Sequence, residues 1–180
     1  MTPTQTLLPT YRQMLRALSN WLNKTDGSEA ILSARLAPDM FPLSTQIRFC
    51  CVQAYEAVAR LRAEPLPPIC HELFEEGRNG GETPGSIREA QARIEDTLAF
   101  LDALSPTELD DRATEALVLE LPNGVTFDMT GEDYVRDWAL PQFYFHLMTA
   151  YSLLRREGVA LGKADYVQHA LAYMRTPDSP

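Results

Sequence analysis

Four stretches of this sequence carry apolar residues at intervals of three and four positions. That spacing is typical of an α-helix that buries one face, so it predicts four long helices. We place them at residues 5–24, 42–62, 84–103 and 130–158. Helices of this kind bury their apolar stripes against one another, and 180 residues suit one core. We therefore expect a mainly α protein, a four-helix bundle that forms a single domain over residues 1–180.

Prolines and capping residues set the expected helix ends. Pro9 lies in the first turns of the first helix and either belongs to it or marks its true start, since proline is tolerated there. Pro141 lies inside the fourth helix, where it removes a hydrogen bond and should kink or split the helix. Thr83 and Thr130 are the expected N-caps of the third and fourth helices.

The segment between the second and third helices is unusually long. Residues 63–83 hold three prolines and three glycines, a density that favours an irregular connection. A connection of this length permits a crossover that joins parallel neighbours. Short accessory helices are expected at 28–36 and 163–174, the second with Tyr166, Leu171 and Met174 facing inward. We expect the tail, 167–180, to be loosely held.

One small β-hairpin interrupts the helical pattern. Residues 117–121 and 125–129 are rich in β-branched and alternating apolar side chains, and Asn123-Gly124 lies between them. This dipeptide favours a type I′ turn. A lone hairpin is marginally stable in water, so we expect this one to lie against the bundle.

Composition narrows the classes of partner. The formal net charge is -9 and the arginines are scattered, which disfavours a nucleic-acid partner. No apolar run approaches the ~20 residues of a transmembrane helix, and the first residues do not form a secretory signal. We therefore expect a cytoplasmic protein without a membrane partner. Cys50, Cys51 and Cys70 lack metal-ligand spacing, and we expect two buried thiols and one loop thiol.

Three segments resemble a known family. They are ILSARLAPDMFPLSTQIRFC at 31–50, QARIEDTLAFLDAL at 91–104 and GEDYVRDWALPQFYFHLMTAYSLLRREGVALGKADY at 131–166. The chain resembles a bacterial branch, a domain of unknown function, of the DinB/YfiT-like superfamily of metal-dependent four-helix bundles. The resemblance covers nearly the whole chain and implies a crossover between the second and third long helices.

The resemblance also implies a metal site. Members of the superfamily hold a divalent ion, zinc or nickel, with one histidine on the second helix and two histidines on the last. His146 matches the last histidine, but Gln142 stands four residues earlier, and the second helix offers Gln46 or Phe49. His146 is then the single expected metal ligand. Because amide oxygens are poor ligands for zinc and nickel, we expect no cofactor or at most a weakly held ion.

The candidate binding site is built around His146. Gln142 shares its helix face at i, i+4, and the resemblance places Arg35, Asp39 and Gln46 opposite. Asp39 has an alternative role as the cap of the second helix and the partner of Arg35. For His146 the alternative is a histidine that only forms a hydrogen bond inside the bundle. Aromatic side chains wall the expected pocket: Phe41, Trp138, Phe143 and Tyr144.

Two functions remain open at this point. The first is a small-molecule-binding or protein-interaction module with a degenerate metal site, working as a homodimer through its long helices. The second is a metal-dependent transferase or hydrolase, with His146 as ligand or general base and Gln142 and Gln46 as positioning groups. A carboxylate beside His146, from Asp39 or Asp137, would favour the enzyme.

Overall fold

The computed structural model describes residues 1–175, and the part of the predicted loose tail that falls on 176–180 lies outside the described residues. The chain is mainly helical, as predicted. Its helices and strands, in chain order, are α1 (Pro3–Leu22), a 3₁₀ turn (Glu29–Ser33), α2 (Leu43–Leu61), α3 (Pro68–Arg78), α4 (Ile87–Asp102), β1 (Ala116–Glu120), β2 (Thr126–Thr130), α5 (Gly131–Tyr134), a π-helical turn (Val135–Ala139), α6 (Leu140–Arg156), α7 (Lys163–Tyr166) and a second 3₁₀ turn (Gln168–Tyr173).

The first helix starts earlier than Pro9. Thr2 caps α1 by a reciprocal pair of hydrogen bonds with Gln5, which satisfies two backbone donors that a helix start would otherwise leave free. Pro9 lies inside α1 on its exposed side. The alternative start at Pro9 is therefore wrong, because the cap at Thr2 starts the helix more than one turn before Pro9.

Helix α4 runs antiparallel to α1. Arg16 of α1 donates a hydrogen bond to Asp102 at the end of α4, at 3.1 Å. Gln91, near the start of α4, donates to Asn23, which directly follows α1, at 2.7 Å. As the α1 numbers rise from Arg16 to Asn23, the α4 numbers fall. The two helices therefore point in opposite directions.

Helix α2 runs parallel to α4. The thiol of Cys51 lies 3.6 Å from the carbonyl oxygen of Arg93, and the Tyr55 ring stacks on Phe100 at 4.5 Å between centroids. Both helices advance together along these contacts. The predicted crossover between the second and third long helices is therefore confirmed.

Helix α6 completes the bundle and lies parallel to α1. Tyr11 contacts Phe143 with ring centroids 4.7 Å apart, and Trp21 contacts Tyr151 at 5.2 Å. Helices α1 and α6 thus point one way, and α2 and α4 point the other. Within residues 1–175, no helix combines the length and apolar character needed to cross a bilayer.

The long connection is not irregular throughout, and that prediction was wrong. It contains α3, which begins with Pro68 in the first turn, a position where proline costs no hydrogen bond. Cys70 and Leu73 are buried on the side of α3 that lies against α2, so Cys70 is not a loop thiol. Gly77 touches the Phe49 ring so closely that a Cβ there would collide with it. Helix α4 then begins after Ser86.

The N-cap of α4 is Ser86 and not Thr83. Ser86 and Glu89 form the reciprocal capping pair, with the Ser86 hydroxyl accepting from the Glu89 amide at 3.1 Å. The hydroxyl of Thr83 instead donates to the carbonyl of Asn79 at 3.2 Å. A serine followed three positions later by a glutamate is the stronger start signal, since it satisfies two donors.

The hairpin forms one residue away from its predicted bounds, with Glu120 paired to Thr126. Its turn is not type I′, because only Gly124 has a positive φ, of 85°. The Gly124 amide donates to the carbonyl of Leu121 at 2.9 Å, and the Leu121 amide donates to Val125 at 2.8 Å. This is a three-residue loop in which Pro122 takes the first central position of a type I turn, which its fixed φ suits.

Pro141 splits the fourth predicted helix, as expected. Thr130 caps α5 through Asp133, which confirms the predicted N-cap. The chain then widens into the π-helical turn, in which the Leu140 amide donates to the carbonyl of Val135. Pro141 has no amide hydrogen for the next bond, so the turn before it adopts a wider pattern.

The C-terminal helix is shorter than predicted and is followed by the second 3₁₀ turn. Tyr166 contacts Trp21, with ring centroids 6.3 Å apart. Leu171 and Met174 are exposed, so the prediction that they face inward is wrong. The aromatic contact ends at Tyr166, and no larger apolar surface holds the following turn among the described residues.

The three cysteines are free and buried. Burial raises the pKa of Cys51 to about 11 and that of Cys70 to about 12. Because the thiolate is the reactive form, these side chains are protonated packing groups at neutral pH.

Candidate functional site: His146 and its surroundings

His146 of α6 faces Gln46 of α2. The His146 Nδ1 lies 2.8 Å from the Gln46 Oε1, and the Gln46 amide nitrogen donates to the carbonyl of Phe41 at 3.2 Å. Since the amide nitrogen serves Phe41, the amide oxygen is the group that meets the imidazole. Nδ1 therefore carries the proton and donates it to Gln46, which leaves the lone pair of Nε2 available.

The imidazole is neutral at ordinary pH. Burial disfavours the charged ring and lowers the pKa of His146 from 6.5 to about 4. Gln46, which orients it, is itself almost fully buried. His146 thus presents a fixed hydrogen-bond acceptor, Nε2, in a single tautomer.

Phenylalanine rings surround the imidazole. Phe49 meets the His146 ring edge to face with centroids 5.2 Å apart, and Phe145 does so at 5.3 Å. Phe41 packs against Phe49 at 5.7 Å. Phe145 is 60% exposed and Phe41 is 47% exposed. We call Phe41, Phe49 and Phe145 the aromatic patch. Together with Nε2 of His146, the patch combines apolar rings that reach solvent with one hydrogen-bond acceptor.

The structure does not join Arg35 and Asp39. The Arg35 guanidinium donates to the carbonyl of Met40. Asp39 is exposed, and the cap position of α2 is Pro42, which offers no side-chain cap. Among the described side chains, no ion pair links Arg35 to Asp39. Both alternative roles of Asp39, as cap and as partner of Arg35, are therefore wrong.

Two of the expected aromatic walls lie elsewhere. Trp138 packs against Phe127 of β2, with centroids 5.6 Å apart. Tyr144 meets Phe143 at 5.8 Å, and it lies two positions before His146, which on an α-helix places it about 200° around the axis. Neither ring is among the aromatic contacts of His146. Sequence reasoning instead missed Phe145, which directly precedes His146.

Gln142 lies one helical turn before His146 and is half-buried. Its role as a ligand-binding residue stays a prediction. Asp137 forms an exposed ion pair with Arg136 at 2.6 Å. Burial alone shifts the pKa of His146, with no contribution from a carboxylate, so neither Asp39 nor Asp137 meets the condition that would favour an enzyme.

The donor set does not fit zinc or nickel. Within residues 1–175, no three His, Cys, Asp or Glu side chains come together as a metal-binding group. The amide oxygen of Gln46 already accepts the Nδ1 proton of His146. One imidazole nitrogen remains, whereas such ions in catalytic sites take three protein ligands.

A bundle with parallel second and third long helices, and a lone imidazole between α2 and α6, defines a DinB-like helical protein. The crystal structure of a DinB family member protein from Shewanella denitrificans is similar, with a TM-score of 0.72 and 25% sequence identity, covering 98% of this chain and 94% of that chain. The model of the family described as Domain of unknown function (DUF1993) matches residues 2–167. The chain belongs to this family. No curated protein matches the sequence.

Proposed function

We propose that the chain is a binding module whose ligand is held at His146 and the aromatic patch. The observation that carries the proposal is the hydrogen bond from His146 Nδ1 to Gln46, which fixes Nε2 as an acceptor. Binding sites commonly combine apolar walls with a few oriented polar groups. A buried glutamine that orients an imidazole is such a group.

The surroundings of His146 define the chemistry of the ligand. Exposed rings of Phe41 and Phe145 favour a flat apolar surface, since aromatic rings pack well against one another. Nε2 accepts a hydrogen bond, so the ligand supplies an N–H or O–H group. The proposed ligand is thus a small planar molecule with one hydrogen-bond donor, or a partner side chain of the same chemistry.

Indole is a suitable probe, because it is planar and carries one N–H. We expect the protein to bind indole more tightly than N-methylindole, by about five- to tenfold, since a net hydrogen bond contributes roughly 1 kcal/mol. Replacing His146 by phenylalanine should abolish this discrimination while leaving an apolar ring in place. Chemical shifts of amide groups, followed during titration, measure both affinities.

His71→Phe is the matched control, because His71 is exposed on α3. That variant should retain the preference for indole. Equal binding of indole and N-methylindole by the unmodified protein would contradict the role of Nε2. Binding by both histidine variants with an unchanged preference would place the ligand away from His146.

A metal-dependent transferase or hydrolase is the second candidate. It is favoured by one observation: a metal-ligating histidine usually donates its other N–H to an oxygen, as His146 does to Gln46. The small number of metal-ligating side chains near His146 is evidence against this function. We therefore expect elemental analysis of protein purified without a histidine tag to find no stoichiometric zinc or nickel. Near-stoichiometric metal that disappears in His146→Ala would instead support the enzyme.

Other features of this proposal stay predictions. We propose a bacterial, cytoplasmic protein that forms a homodimer through its long helices, with neither nucleic acid nor membrane as a partner. The net charge of -9 supports the exclusion of a polyanionic partner.

A further inference from the structure

A cleft lined by charged side chains lies between α2, α3 and α4. Its volume is about 460 Å³. Charged side chains dominate its lining: Arg48, Glu76, Glu89, Arg93 and Asp96. Two arginines and three carboxylates leave one negative charge in excess. A lone anion or a lone metal cation would meet repulsion in such a lining, whereas a ligand with charges of both signs would not.

Arg48 is the buried group of this cleft, with only 5% of its side chain exposed. Its Nε donates to Glu76 at 3.3 Å, and its Nη1 donates to the Ser44 hydroxyl at 3.0 Å. Its Nη2 makes no hydrogen bond with the residues that the structure describes. A guanidinium nitrogen that lines a cleft and has no hydrogen-bond partner favours an acceptor from outside, and a carboxylate suits an arginine best.

Gly85 keeps the space in front of Arg48 open. The Arg48 Nη2 and the Glu89 Oε2 each lie 2.9 Å from the position that a Cβ on Gly85 would occupy. Gly85 has a φ of 72°, a conformation that disfavours any side chain. Arg48 and Glu89 therefore face each other across a glycine, one as donor and the other as acceptor. Hydrogen bonds from Ser86 lower the pKa of Glu89, so its carboxylate is charged.

Asp96 supplies a second negative charge farther along α4. It lies two helical turns from Glu89, about 10 Å along the axis. Ala92 lines the cleft between them with a small apolar side chain. Asp96 is exposed and forms no ion pair within residues 1–175. An aliphatic chain that carries a terminal cation fits over Ala92 toward this carboxylate.

We propose that this cleft binds a basic amino acid of the lysine type. The ligand carboxylate binds the Nη2 of Arg48, its α-ammonium group faces Glu89, and its side-chain ammonium group reaches Asp96. The net charge of such a ligand balances the excess negative charge of the lining. This site is separate from His146, and its test does not depend on the binding function proposed there.

Calorimetric titration with four probes tests the proposal: L-lysine, L-norleucine, cadaverine and inorganic phosphate. L-Lysine should bind most tightly. L-Norleucine, which lacks the side-chain ammonium group, should bind about three- to fivefold more weakly, as expected for one partly exposed charge pair. Cadaverine lacks the carboxylate and should not bind at the same concentrations. No binding of L-lysine, or tighter binding of phosphate, would overturn the proposal.

Variants on the surface of α4 locate the ligand. Asp96→Asn should weaken L-lysine to the level of L-norleucine and leave L-norleucine unchanged, because only the side-chain ammonium group meets Asp96. Glu95→Gln is the matched control, since Glu95 is also exposed on α4 but lies outside the lining of the cleft. Equal effects of the two substitutions, or equal weakening of both amino acids by Asp96→Asn, would contradict the assigned orientation.

Discussion

Replacing Trp21 by alanine is expected to lower the free energy of unfolding by about 3–5 kcal/mol, the usual cost of removing a buried tryptophan. Trp21 is only 1% exposed. Its ring meets Tyr151 of α6 at 5.2 Å and Tyr166 of α7 at 6.3 Å. Its Nε1 donates to the carbonyl of Asp165 at 3.3 Å. One side chain therefore joins three helices, and its loss leaves a cavity and an unpaired carbonyl.

Urea denaturation followed by helical circular dichroism measures the loss. Trp21→Phe should recover much of it, because a ring still fills the site although the hydrogen bond is gone. Phe145→Ala is the control, since Phe145 is 60% exposed on α6 and its removal should cost less than about 1 kcal/mol. Similar losses from Trp21→Ala and Phe145→Ala would show that the junction of α1, α6 and α7 is not a major part of the core.

The long helices were predictable because their signals are local. The apolar stripe of α1 repeats at helical spacing, and Thr130 with Asp133 forms a capping pair that the sequence displays directly. Pro141 must interrupt a helix wherever it lies in the interior. The π-helical turn before it was not predictable in detail, since several local patterns accommodate a proline.

Other elements depended on context that a sequence pattern does not carry. Residues 63–83 contain enough proline and glycine for a loop, yet α3 forms because its prolines fall at its start and its apolar side chains pack against α2. The Asn123-Gly124 dipeptide favours a two-residue type I′ turn, whereas the loop that forms has three residues and begins at Pro122. In both cases, tertiary packing or register selected among locally similar alternatives.

The facing positions of His146 and Gln46 were predicted, whereas the binding role of this site stays a prediction. His146 and Gln46 were placed opposite each other by resemblance, and the structure brings them within hydrogen-bond distance. The neutral state of the ring follows from burial, which a sequence does not show. Tyr144 was misplaced because apolar aromatic residues occur on every side of α6, and only the packing of the bundle decides which of them approach His146.

Acidification from about pH 7 to pH 4 is expected to destabilise the fold through His146. Its pKa is 6.5 in the unfolded chain and about 4 in the folded protein, where burial disfavours the charged ring. The unfolded chain therefore takes up a proton first. The contribution of the neutral ring to stability is fully present above pH 6.5 and is lost as the pH falls toward 4. The two pKa values set its upper limit at roughly 3 kcal/mol.

The contribution of His146 to the pH dependence of stability can be separated from that of the other titrating groups, because the side chains that face it do not titrate. Gln46, Phe49 and Phe145 are uncharged, so no neighbouring titration accompanies that of the ring. Hydrogen bonds from Ser86 and Thr130 lower the pKa of Glu89 and Asp133 below the ordinary values of such carboxyls, so the contributions of these carboxylates are lost only in stronger acid. The interval between pH 6.5 and 5 thus reports mainly on histidine.

Urea midpoints of the unmodified protein and of His146→Gln, measured at pH 7, 6 and 5, isolate the effect. The unmodified protein should lose stability across this interval, and His146→Gln should lose clearly less, because glutamine does not titrate. His71→Gln, at an exposed position, should follow the unmodified protein. Parallel curves for all three would mean that His146 titrates near its ordinary pKa. Nε2 would then be protonated in mild acid, and the hydrogen bond proposed to hold an N–H ligand would be lost near pH 6 and not near pH 4.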